Sequence, residues 1–102
     1  MIDENFIAER ITSLRMAKNI SARDMSLSLG QSQSYINNIE NKKALPSMQM
    51  FLYICEFFKI EPTDFFNENL KEPSTFNDAL SVFKGLKKDQ LNLLIAIAKE
   101  MK

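Results

Sequence analysis

Histidine and tryptophan are absent from this 102-residue chain, and cysteine occurs once. Without His, no Ser–His or Cys–His couple can be assembled. Cys55 therefore has no base to activate it and reads as a small buried hydrophobe. A lone Cys also excludes a disulfide framework within one chain and a multi-ligand Cys/His metal centre. Two glycines are too few for a phosphate-cradling loop. An enzyme is the least supported class, and neither a cofactor nor a small-molecule ligand is expected. No apolar run reaches the ~18 residues of a membrane span, and no secretory signal is visible. A cytoplasmic protein is expected. Net charge is lacking too, with 13 basic groups against 13 acidic ones. Phosphate neutralisation dominates nucleic-acid affinity, so a neutral chain must place its positive groups locally. Residues 1–45 carry six basic and five acidic groups, 46–75 two and five, and 76–102 five and three.

What is present is organised around Ser21 to Glu40, SARDMSLSLGQSQSYINNIE. The stretch reads as two short helices joined by a tight turn. Ser21 is a good N-cap, because its hydroxyl can accept from an orphan backbone N–H. Met25 and Leu29, four apart, give the first helix an apolar face. Gly30 ends it, in the left-handed conformation that Gly adopts cheaply. Ser32 is expected to cap the second helix, with Ile36 and Ile39 inward. Gln33, Ser34, Asn37 and Asn38 remain outside. These side chains donate and accept without charge, which suits reading base edges in a DNA major groove.

With its flanks, this stretch resembles the helix-turn-helix of the phage repressor and Cro family, also called the xenobiotic-response-element (XRE) family. The resemblance runs from about Ile11 to Phe66. It takes in a helix with Leu14–Arg15, the two helices above, Ile39–Glu40–Asn41, Pro46–Ser47 with a helix, and a closing Asp64–Phe65–Phe66. It implies an all-α fold, a five-helix repressor-like bundle whose second motif helix lies in the major groove. It also implies an internal ion pair between Arg15 and Glu40, against the plain alternative of a surface Arg15. Many relatives carry Gln after the cap where this chain has Ala22, so one phosphate anchor is missing and Arg23 stands next to the gap. Ser26 takes a position that is usually Ala, where tight helix packing demands a small side chain. Lys59 stands where relatives often place a helix-ending Gly.

Around the motif, residues 4–18 read as a helix with Phe6, Ile7, Ile11 and Leu14 at helical spacing, and Asp3 or Asn5 at its start. Asn41 can take a left-handed turn position, since Asn tolerates it better than most residues. Lys42 and Lys43 then project near the end of the reading helix, either as a clamp on the DNA backbone or as a solvated basic loop. Pro46–Ser47 opens a helix over about 48–58 with Phe51, Ile54, Cys55 and Phe58 inward. Pro62 starts a short one, followed by Phe65 and Phe66 in the last core layer. These aromatics read as core rather than as a base-stacking platform.

Residues 67–75 read as a linker, dividing a helix-turn-helix domain at 1–70 from a C-terminal two-helix extension at 71–102, a helical hairpin. Residues 76–86 carry Phe76, Ala79, Leu80, Phe83 and Leu86. Residues 88–101 carry one stripe of Leu91, Leu94, Ile95, Ala98 and Met101 and a second of Leu93 and Ile97. A helix apolar on two sides needs two partners. Its own domain is expected to cover the first stripe, and a second copy of the chain to cover Leu93, Ile97 and Met101.

The function expected is a sequence-specific DNA-binding regulator of repressor/Cro type, bound as a homodimer to a palindromic operator on double-stranded DNA. Ser32, Gln33, Ser34, Asn37 and Asn38 are the candidate base readers. Arg10, Lys18, Arg23, Tyr35, Lys42 and Lys43 are candidates for backbone positioning. The alternative is a helical protein-interaction module or antitoxin-like regulator that keeps the fold with weak or no DNA binding.

Overall fold

Seven α-helices are formed by the described residues of the computed structural model, 2–70 and 73–101, and no strand occurs among them. Helix α1 (Glu4–Ala17) starts at Asp3, whose side chain accepts from the Phe6 N–H at 3.0 Å. Helix α2 (Ala22–Ser28) starts at Ser21, whose hydroxyl accepts from the Asp24 N–H at 3.0 Å. After α3 (Tyr35–Glu40) comes α4 (Met48–Phe58), capped by the Ser47 hydroxyl at the Met50 N–H. Helix α5 (Pro62–Phe65) carries Pro62 in its first turn, where the missing N–H costs nothing. Helices α6 (Pro73–Lys84) and α7 (Lys88–Glu100) follow.

The first five helices share one core of Ile11, Leu14, Met25, Ile36, Ile39, Phe51, Ile54, Cys55, Phe58, Ile60 and Phe65. Phe51 meets Phe65 edge-on with ring centroids 5.0 Å apart, and Phe66 packs against both rings. Burial pushes the Cys55 thiol up to about 11, with the charge of Glu61 adding to the effect. A thiol kept protonated in this way is an inert packing group.

The helices α1 to α4 all end in the same manner. A residue just past each end takes a left-handed conformation: Asn19 at φ 57°, Gly30 at 74°, Lys42 at 64° and Lys59 at 57°. At each end the following N–H reaches back to the last turn: Ile20 to the Arg15 carbonyl, Gln31 to Ser26, Lys43 to Asn38 and Ile60 to Cys55. This is the Schellman arrangement, which satisfies carbonyls a helix end leaves orphaned. Only one of the four turns has the residue that adopts it without strain. After α3 the left-handed residue is Lys42; the expected Asn41 sits at φ −89°.

Arg10 closes the five-helix unit. It is buried at 7% exposure, stacks on the Phe6 ring at 4.9 Å, and donates to the carbonyls of Asn67 and Leu70. Burial lowers its pKa. The segment after α5 is thus strapped to α1 rather than free. The expected domain boundary, between 70 and 71, falls at residues outside the described ones, as does Lys102. Helix α6 begins at Pro73 itself, where the sequence reads a break followed by a start at Ser74 or Thr75, since Pro fits a first helical turn. Pro73 is fully buried, and Asn77 Nδ2 donates to Asp64 Oδ2 at 3.2 Å, which ties α6 to α5.

The expectation that α7's own domain covers one of its two stripes is overturned. No residue of α7 is buried. Leu91 is half-buried, and Leu94, Ile95, Ala98 and Met101 are exposed. Phe76, Leu80 and Phe83 of α6 are exposed as well. The radius of gyration is 16.2 Å, against about 13 Å for a compact chain of this length, and the longest extent is 49 Å.

Candidate nucleic-acid interface

Helix α3 is held from both ends. At its start the cap comes from the neighbouring helix. The buried Ser26 hydroxyl accepts from the Ile36 N–H at 2.9 Å and donates to the Ala22 carbonyl at 2.7 Å. No side-chain cap bond comes from Ser34. Ser32, predicted as the cap, lies in the turn before the helix, where its carbonyl accepts from the Tyr35 N–H. The helix therefore starts two residues later than Ser32 implies. The physical reason is that a hydroxyl supplied by α2 satisfies the orphan donor, so no local cap is required.

At its other end, Glu40 receives a two-pronged contact from Arg15. Nε donates to Oε2 at 2.7 Å and Nη2 to Oε1 at 3.0 Å, while Nη1 donates to the Ile20 carbonyl at 3.0 Å. The hydrogen bond to Glu40 raises the Arg15 pKa. Paired donors in a planar fork fix direction as well as distance, so α3 is pinned to α1 in angle. Ile36 and Ile39 are buried beneath it.

The outward side of α3, with the turn that leads into it, is polar and uncharged. Ser32, Gln33, Ser34 and Asn37 are exposed, and Asn38 is half-buried. Asn41 is exposed and stands four residues beyond Asn37, on the same side of the helix. It was expected to serve the turn only. The i, i+4 spacing from Asn37 was the available signal for a place on the outer face. Tyr35 is half-buried against the core, and burial raises its pKa.

Positive groups are unevenly placed around this face. Lys42 and Lys43 are exposed at the end of α3 and share a depression with Glu4, Ile39, Ala44 and Leu45. Arg23 is exposed in the first turn of α2. Lys18 sits elsewhere, over the Phe57 ring at 5.2 Å and beside Phe58, Thr75 and Asp78. That position sets it with α4 and α6 rather than with α3. Arg10 is corrected outright: a buried guanidinium bonded to two carbonyls offers nothing to a phosphate. Among the described residues no three His, Cys, Asp or Glu side chains gather where a metal ion could be held.

Two short helices locked at a fixed angle, the second with a polar outer face, form the arrangement in which a helix is presented to a DNA groove. A helix-turn-helix domain profile matches residues 8–71. The chain belongs to this helix-turn-helix family. The match covers more than half of the chain and takes in α1 from residue 8 through α5, leaving α6 and α7 outside it. Searches of curated proteins and of solved structures return no significant match. Membership makes the helix-turn-helix unit a DNA-binding regulatory domain in kind, and no described helix is long and apolar enough to cross a membrane.

Proposed function

We propose that this helix-turn-helix protein is a sequence-specific transcriptional regulator of repressor/Cro type that binds a palindromic operator as a homodimer in the cytoplasm. The observation that carries the reading is the pinning of α3 by Ser26 at one end and Arg15 at the other, with only uncharged polar side chains on its outer face. A reading helix must arrive with its angle already set, because a loose one loses its bidentate base contacts. Gln33, Ser34 and Asn37 read base edges, with Ser32, Asn38 and Asn41 at the margin. Lys42, Lys43 and Arg23 contact the backbone. One helix of this size spans too few base pairs to select a site in a genome, and two copies related by a two-fold axis remedy this.

Selection from a pool of random duplexes, followed by sequencing, tests the reading. Enrichment of an inverted repeat with half-sites about one DNA turn apart is the expected result. A pool that stays random after several rounds overturns it.

A second reading draws on two specific features, the zero formal charge and the uncovered α7. In it the fold serves protein association alone. Salt separates the two. DNA binding weakens steeply as salt rises, whereas an apolar contact changes little.

A further inference from the structure

Helix α7 cannot stand as it is. Thirteen residues make a marginal helix in water, and this one buries none of its side chains. Leu93 is 63% exposed and Ile97 49%. Between Asp89 and Lys99 the helix has no charged residue, so its middle resembles the centre of an interface, where charge is depleted. The chain as a whole exposes 7313 Å². A compact monomer of its 11.8 kDa is expected to expose about 5,900 Å². The excess of roughly 1,400 Å² exceeds the ~800 Å² per partner that a standard stable interface takes up.

A second surface on the same chain is equally uncovered. A groove of about 600 Å³ lies between the α4–α5 corner and α6. Its lining is mixed: Leu52, Pro62 and Leu80 give it an apolar strip, with Leu52 and Leu80 exposed, and Glu56, Lys59, Glu61 and Lys84 give it charged margins. Helix α6, one wall, is 12 residues long, about 18 Å, and the uncharged middle of α7 is about 14 Å. Each chain therefore carries this groove and an apolar helix, and its own helix does not fill the groove. The link between α6 and α7 is short and locally bonded. Gly85 and Leu86 N–H groups close turns onto Val82 and Phe83, and the Lys87 N–H is held by Gln90 Oε1 at 3.0 Å. No residue of α7 lines the groove of its own chain.

We infer that two copies exchange α7 reciprocally, each helix lying in the α4–α6 groove of the other copy. The exchange covers both open surfaces in one step and closes under a two-fold axis, leaving no further site to propagate. It deepens the homodimer of the preceding reading and rests on it. It also couples the helix-turn-helix units to each other through α4, which a contact between two α7 helices alone would not do.

The test uses the full chain in three forms. The groove variant is Leu52→Glu, at an exposed position where a charge leaves the core intact, with Leu80→Glu as an independent second groove variant. The helix variant is Leu93→Glu with Ile97→Glu. In sedimentation, each alone should raise the dimer dissociation constant at least about 30-fold. An equimolar mixture of groove and helix variants should regain dimer mass, because one chain keeps an intact groove and the other an intact helix. Groove variants that dimerise as the parent does, or a mixture that stays monomeric, overturn the exchange while leaving a homodimer through another surface. A parent chain that is monomeric at tens of micromolar overturns the homodimer as well.

Discussion

The Ser26 hydroxyl accepts the Ile36 backbone N–H at 2.9 Å, so the cap of α3 is a side chain of α2. Both groups are buried. Removing the hydroxyl leaves an amide donor with no water to turn to. Ser26→Ala is expected to lower stability by about 1–3 kcal/mol, measured by denaturant unfolding. The smaller side chain fits, so packing cannot account for such a loss. A change under about 0.5 kcal/mol would mean that the Ile36 N–H finds another acceptor.

Arg15→Ala should cost about 3 kcal/mol. The variant leaves the Glu40 carboxylate without its two donors and the Ile20 carbonyl without a third. Deleting one partner of a buried pair is costly even where the pair adds little net stability, and the slight exposure of this pair keeps the loss at the low side of the usual range. Replacing Arg15 and Glu40 together by Met and Leu should recover much of it. Thermal melts of the single and double variants provide the comparison.

Base reading is tested at Gln33 and Asn37. Each amide can pair bidentately with an adenine edge, worth about 1–3 kcal/mol of discrimination. Alanine at either position should relax preference at one defined operator position while leaving the fold unchanged, since both side chains are exposed. If selected and random duplexes are bound by both variants as by the parent, α3 is not the reader.

Lys42 and Lys43 should act differently. Changing both to Gln is expected to weaken binding to all sequences alike and to flatten the salt dependence by about two units of slope, one per phosphate contact. Sequence preference should be retained. An unchanged slope would assign these lysines to solvent.

Lys59 stands at φ 57° past α4. A left-handed conformation strains an L-residue and costs Gly little. Lys59→Gly should therefore raise stability by up to about 1 kcal/mol. In contrast, Gly30→Ala should lower it by about 1 kcal/mol. A Cβ at Gly30 meets nothing within 4 Å, so the loss there is conformational rather than steric. Urea midpoints of the two variants, moving in opposite directions, are the measurement.

The helical elements and most of the core are legible in the chain itself. Apolar spacing places Ile11, Leu14, Met25, Ile36 and Ile39 inward, and they are buried. Ser21 and Ser47 announce helix starts, and each accepts the N–H three residues on. These signals are local, because a cap or an apolar stripe needs only neighbours within one helical turn. The same holds for Gly30, whose left-handed turn follows from its missing Cβ.

What tertiary structure decided lies wherever a group's partner is distant in the chain. Arg10 looks like any surface cation until the carbonyls of residues 67 and 70 are brought over it. Ser26 looks like a small spacer until the Ile36 N–H reaches it, and Ser32 loses its capping role for that reason. The amphipathic pattern of α7 states that it must be covered, but not by what, since apolar burial has no direction and any apolar surface satisfies it. Only the folded chain, in which no residue of α7 is buried, removes the intrachain answer.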